Sequence, residues 1–71
     1  MTTILYGFTF SSEKKNILRI EQYQEKGSVA ILWRVICKGR VLRDCLTRKP
    51  QRTALQNYAY RADLIFGKND N

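Results

Sequence analysis

The positions of apolar and polar residues along the chain predict four β-strands followed by one α-helix. In residues 4–10 apolar side chains occupy every second position, on the side of Ile4, Tyr6, Phe8 and Phe10, which is typical of a strand with one buried face. Residues 29–38 are rich in β-branched and aromatic side chains and are apolar on both sides. Residues 40–46 follow as the fourth strand.

Residues 16–24 form the least regular of the predicted strands. Leu18 and Ile20 share one side, whereas Ile17 and Tyr23 share the other with charged neighbours. We interpret this stretch as the second strand. A helix stays the alternative because the alternation is imperfect.

The last predicted element is a helix over about residues 49–66. Its apolar side chains recur at helical spacing and form one stripe: Leu55, Tyr58, Ala59, Ala62, Ile65 and Phe66. Pro50 suits the first turn, where its missing N–H costs nothing. Gly67 suits a left-handed C-cap, and residues 67–71 are expected to fray.

This order of elements predicts an α+β fold, ββββα. A small antiparallel sheet of three to four strands would carry the C-terminal helix on one face. The 71 residues suffice for a single small domain, 1–71, with a thin margin of stability. The other face would expose Leu32, Ile36 and Val41. An exposed apolar patch of this kind marks a partner surface, which a homodimer or a larger protein partner would cover; the alternative is that loops or the N-terminal strand fold over it.

The net charge of +7 is concentrated in one part of the chain. Residues 34–52 contain seven cations and one acid, Asp44. The cations are Arg34, Lys38, Arg40, Arg43, Arg48, Lys49 and Arg52. A basic block on an otherwise balanced chain is typical of a polyanion binder, and plain solvated charge is the alternative.

The predicted hairpin brings two arginines of this block together. With Lys38 and Gly39 as a two-residue turn, Arg34 would lie opposite Arg43, a like-charge pair that a bridging phosphate would relieve. A three-residue turn would instead pair Arg34 with Asp44. Glycine at the second turn position favours the two-residue register.

The predicted helix start adds cations where a helix disfavours them. Its first turn would hold Arg48, Lys49 and Arg52, at the positive end of the helix dipole, where free N–H groups bind anions. We therefore predict that the hairpin and the helix start form one continuous phosphate-contact surface.

The chain lacks the residues that several kinds of catalytic and metal site require. The chain has no histidine, no glycine-rich phosphate loop, and only Cys37 and Cys45, too few for a zinc site. The predicted hairpin keeps the two cysteines too far apart for a disulfide, so both are interpreted as small apolar fillers. No metal or other cofactor is expected. The longest apolar run, residues 29–33, is too short to span a membrane, and the low cysteine content favours a cytoplasmic location.

These features predict a non-enzymatic nucleic-acid-binding accessory or regulatory protein that contacts DNA rather than RNA. The alternative is a small interaction module, an inhibitor or regulator, that docks on an acidic protein through its apolar sheet face. A minor alternative is a toxin-type ribonuclease. In it, Tyr58 or Tyr60 would handle protons together with Asp63 or Glu21.

Overall fold

The computed structural model describes residues 1–11 and 16–66. It contains five elements: β1 (Thr2–Ser11), β2 (Ile17–Glu25), β3 (Leu32–Cys37), β4 (Arg40–Leu46) and α1 (Arg52–Phe66). The strands form one antiparallel sheet in the order β1-β2-β3-β4, and the predicted ββββα fold is confirmed. The predicted Gly67 cap and the tail 67–71 lie outside the described residues.

The core lies between one face of the sheet and α1. Its members are Leu18, Ile20, Trp33, Val35, Cys37, Leu55, Ala59 and Ala62. Residues 17–25 are a strand, so the helical alternative for this stretch is wrong, and Leu18 and Ile20, predicted to share one side, both point to the core. We call the sheet face under α1 the helix face and the opposite one the open face.

A bulge in β1 overturns part of the predicted alternation. Ile4 lies opposite Tyr23, but Tyr6 lies opposite Gln22, so Leu5 is an extra residue in the strand. Ile4 therefore lies on the open face, whereas Tyr6 lies on the helix face. Only the pattern from Tyr6 onward follows the prediction.

The third strand begins at Leu32, three residues later than predicted. Local hydrogen bonds hold the preceding segment away from the sheet: the Gln24 side-chain amide donates to the Ser28 carbonyl at 2.9 Å, and the Ala30 N–H donates to Ser28 Oγ at 3.1 Å. As a result Val29 is 94% exposed despite its apolar side chain.

The helix begins at Arg52 rather than at residue 49. The Leu55 N–H donates to the Gln51 carbonyl at 3.0 Å, which makes Gln51 the N-cap, and Pro50 is buried just before it. The reason is the path of the chain. Residues 47–51 carry it from β4 to β1, where Lys49 Nζ lies 5.0 Å from the ring centre of Phe8, before the helix starts.

The hairpin between β3 and β4 has the predicted two-residue turn. Cys37 lies opposite Arg40, and both Lys38 and Gly39 have positive φ, 53° and 79°, as a type I′ turn requires. Farther from the turn the register shifts twice, so that Val35 lies opposite Arg43. The predicted pairing of Arg34 with Arg43 is therefore wrong.

β4 has a further irregular position at Cys45, where the strand contacts Tyr23. Cys45 adopts a φ of 57°, and its N–H donates to the Tyr23 hydroxyl at 3.1 Å. Tyr23 is buried although it lies on the open face, and this burial raises the pKa of its hydroxyl. Neither cysteine forms a disulfide, but only Cys37 is the predicted buried filler, because Cys45 is exposed.

The buried thiol of Cys37 gives the fold a dependence on pH. Burial raises its pKa, Lys38 opposes that rise, and the Asp63 carboxylate adds to it. Because the unfolded chain ionises first, this contribution is complete below the usual thiol pKa and is lost as pH rises through the folded value. We expect urea midpoints to fall as pH rises above the usual thiol pKa, and to fall less steeply in Cys37→Ala. An identical slope in the variant would contradict this.

Candidate nucleic-acid interface

The exposed cations of the basic block fall into two groups. The hairpin group comprises Lys38, Arg40 and Arg43, and the helix-start group comprises Arg48, Lys49 and Arg52. Lys38 Nζ lies 4.9 Å from the ring centre of Phe66, the last residue of α1. A helix of 15 residues is about 22 Å long, so the hairpin tip and the helix start lie at opposite ends of it. Lys38 at the hairpin tip is therefore not adjacent to the helix-start cations, as a single compact surface would require.

Arg34 belongs to neither group because the chain's own carboxylate neutralises it. Its Nη2 lies 2.8 Å from Oε1 of Glu21, its Nε donates to the same oxygen at 2.9 Å, and its guanidinium stacks on the Tyr23 ring at 4.9 Å. Glu21 lies opposite Arg34 in the β2–β3 register and also contacts Arg19 at 3.5 Å. The Arg34 side chain therefore stabilises the open face through its contacts with Glu21 and Tyr23.

Two members of the helix-start group, Lys49 and Arg52, line a cleft between α1 and β1. Arg48 and Lys49 precede the helix, and only Arg52 lies in the first turn, which contains no acid. The cleft has a volume of about 560 Å³ and is lined by Phe8, Phe10, Lys49, Pro50, Gln51, Arg52 and Leu55. Because the first N–H groups of a helix lack partners within it, cations and N–H donors meet at this end.

The outward face of α1 carries polar and apolar side chains but no carboxylate. Its exposed residues include Arg52, Gln56, Asn57, Tyr60, Arg61 and Leu64. The one acid of the helix, Asp63, is buried and accepts a hydrogen bond from Asn16 Nδ2, which also lies 3.4 Å from the Ala59 carbonyl. The sequence analysis did not identify Asn16 as a functional partner. The one available signal was that Asp63 lies next to Ala62 in the apolar stripe of the helix, where a carboxylate needs a hydrogen-bond donor.

Among the described residues, no carboxylate forms an ion pair with a cation of either group. Over residues 1–11 and 16–66, salt bridges within 4.0 Å form only from Arg19 and Arg34, both to Glu21. Within that part of the chain, the cations of the hairpin and helix-start groups are therefore available to an external anion.

The open face shows the predicted apolar side chains only in part. Val41 is exposed, but Leu32 and Ile36 are half-buried, and Ile17, at 59% exposure, is the most exposed apolar side chain in the strands. The ion pair of Arg34 with Glu21 lies among them. This face is a mixed surface rather than a uniform apolar patch.

The groups considered for ribonuclease chemistry lie apart. Glu21 is on the open face and paired with Arg34, whereas Asp63 is buried under α1 against Asn16. Tyr58 packs on the core, and Tyr60 points outward from the helix. The carboxylates of Glu21 and Asp63 therefore lie on opposite sides of the sheet. Among the described residues, no helix has the length and apolar character needed to cross a membrane.

No protein-family model, curated protein sequence or solved structure matches this chain.

Proposed function

We propose that this chain is a non-enzymatic accessory or regulatory protein that binds duplex DNA through α1 and the basic groups at its two ends. One observation carries the proposal. Exposed Lys49 and Arg52 lie at the helix start, exposed Lys38 lies beside Phe66 at the other end, and the only carboxylate of the helix, Asp63, is buried. A surface of this kind attracts a polyanion along the whole length of the helix.

The dimensions of the helix match those of a DNA groove. The major groove is about 12 Å wide and admits an α-helix. With α1 lying across it, groups about 22 Å apart would reach the phosphates on both bounding backbones. Arginine suits this contact because its planar fork grips phosphate oxygens bidentately.

The same geometry favours DNA over RNA. The major groove of an A-form RNA helix is deep and too narrow for a helix to enter. Gln56 and Asn57 are exposed in the middle of α1, and amide side chains of this type bind the edge of adenine in the major groove of B-DNA. The helix-start N–H groups would add a further phosphate contact.

A pair of charge-matched variants tests this proposal. Arg52→Glu alters the helix-start group, whereas Lys26→Glu makes the same change in the exposed turn between β2 and β3. We expect Arg52→Glu to weaken duplex binding about tenfold and to reduce the salt slope by about 1, because one phosphate contact is lost. Lys26→Glu should bind within about twofold of the wild type.

The measurement is fluorescence anisotropy with a labelled duplex at several salt concentrations. Equal weakening in both variants would show attraction to net charge without a defined surface. Failure of the wild type to bind any nucleic acid would remove the proposal. We further propose a cytoplasmic location, in keeping with the two free cysteines.

A second candidate function rests on the open face. Exposed Ile17 and Val41 there suit a small module that docks on another protein. Binding of that kind would be stoichiometric and weakly dependent on salt, and Ile17→Lys would abolish it without affecting duplex binding.

A further inference from the structure

The two edge strands of the sheet differ in how they are protected. β4 carries Arg40, Arg43 and Asp44, and its register shifts twice along β3. Charges and bulges on an edge strand prevent pairing with another chain. The β4 edge is therefore protected in two ways.

β1, the other edge, is long and has no charge. None of its ten residues is Lys, Arg, Asp, Glu or Pro. The bulge at Leu5 interrupts it near one end, but Tyr6–Ser11 pair regularly with β2. Within the described ranges, β2 is its only neighbour in the sheet. Its outer edge therefore presents backbone N–H and C=O groups that a further strand would satisfy.

We propose that β1 pairs antiparallel with β1 of a second copy of this chain, so that the two sheets join into one of eight strands. An uncharged strand meets its own copy without like-charge repulsion, whereas the arginines of β4 would oppose one another. In a two-fold antiparallel pair one residue faces its own copy. With Phe8 in that position, Tyr6 faces Phe10 of the second copy, and the helix faces share a ladder of aromatic pairs.

The two-fold axis of this dimer is perpendicular to the sheet, so both helices lie on the same side. The start of α1 lies against Phe8 and Phe10 of β1, which brings the two helix-start groups toward each other across the axis. Their cations repel, and salt screens that repulsion. Dimerisation therefore strengthens with salt, whereas DNA binding weakens, and the two proposals give opposite responses.

Sedimentation equilibrium of the wild-type chain tests the dimer directly. We expect a monomer–dimer equilibrium with a dissociation constant that decreases as salt rises. A monomer at every soluble concentration, at low and at high salt, would overturn the proposal.

A charge placed on β1 locates the interface. In the proposed dimer, Thr9 would face Gly7 of the second copy. In each copy the Arg19 guanidinium lies directly over Gly7: a β-carbon added to the glycine would be 2.8 Å from Arg19 Cζ. Thr9→Lys thus adds two like-charge contacts per dimer, which raises the dissociation constant about tenfold. Thr47→Lys, an exposed position after β4, is the matched control and should dimerise like the wild type.

Far-UV circular dichroism shows whether each variant is folded. If Thr9→Lys does not fold, Tyr6→Lys makes the same test, since Tyr6 is 52% exposed and would lie opposite Phe10 of the second copy. Equal dissociation constants for the folded edge variant and Thr47→Lys would exclude β1 as the interface.

Discussion

Replacing Ile20 by alanine is expected to lower the free energy of unfolding by about 2–5 kcal/mol. Ile20 has no exposed surface and lies on β2 between Phe8 and Val35 of the neighbouring strands. Its truncation leaves a cavity at the centre of the core. A domain of this size is stable by roughly 4–10 kcal/mol, so the loss would consume a large share of that stability.

The same substitution at Ile17 is the matched control. Ile17 lies on the same strand, but it points to the open face and is 59% exposed. Ile17→Ala should change the stability by no more than about 0.5 kcal/mol. Urea unfolding followed by Trp33 fluorescence measures both. Similar losses in the two variants would mean that the core does not lie beneath α1.

Replacing Asn16 by alanine is expected to cost about 1–3 kcal/mol, a large loss for one polar side chain. The buried Asp63 carboxylate accepts a hydrogen bond from the Asn16 amide, and the substitution removes that donor. A buried carboxylate that has lost a partner carries most of its desolvation penalty without compensation.

The double variant Asn16→Leu/Asp63→Leu separates this cause from a loss of packing. Replacing both members of a buried polar pair with apolar groups is close to neutral, so the double variant should be more stable than Asn16→Ala. Chemical denaturation measures both. If the double variant is the less stable, the amide and the carboxylate do not form the buried pair described above.

The sequence predicted the parts of the fold that depend on local pattern. Alternation alone placed Leu18 and Ile20 on one side of their strand and Ile17 and Tyr23 on the other, and Gly39 predicted the hairpin turn. The bulges were not predictable, because no glycine marks them. Leu5 is an ordinary apolar residue, and Cys45 combines a positive φ with an N–H donated to Tyr23, a partner distant in sequence.

The candidate site shows the same division between local and distant information. The sequence identified the cations but not their grouping, which depends on the path of residues 47–51 from β4 to β1. The pairing of Arg34 with Glu21 was equally hidden, because it follows from the register of β2 with β3. Where a side chain meets a partner distant in sequence, its own neighbours carry no signal.

The salt dependence of wild-type binding to duplex DNA tests the central claim most directly. If the six cations of the hairpin and helix-start groups each neutralise a phosphate, a plot of log K against log salt concentration should have a slope of about −5. A slope near zero, or no binding at low salt, would contradict the claim that the two ends of α1 hold the DNA backbone.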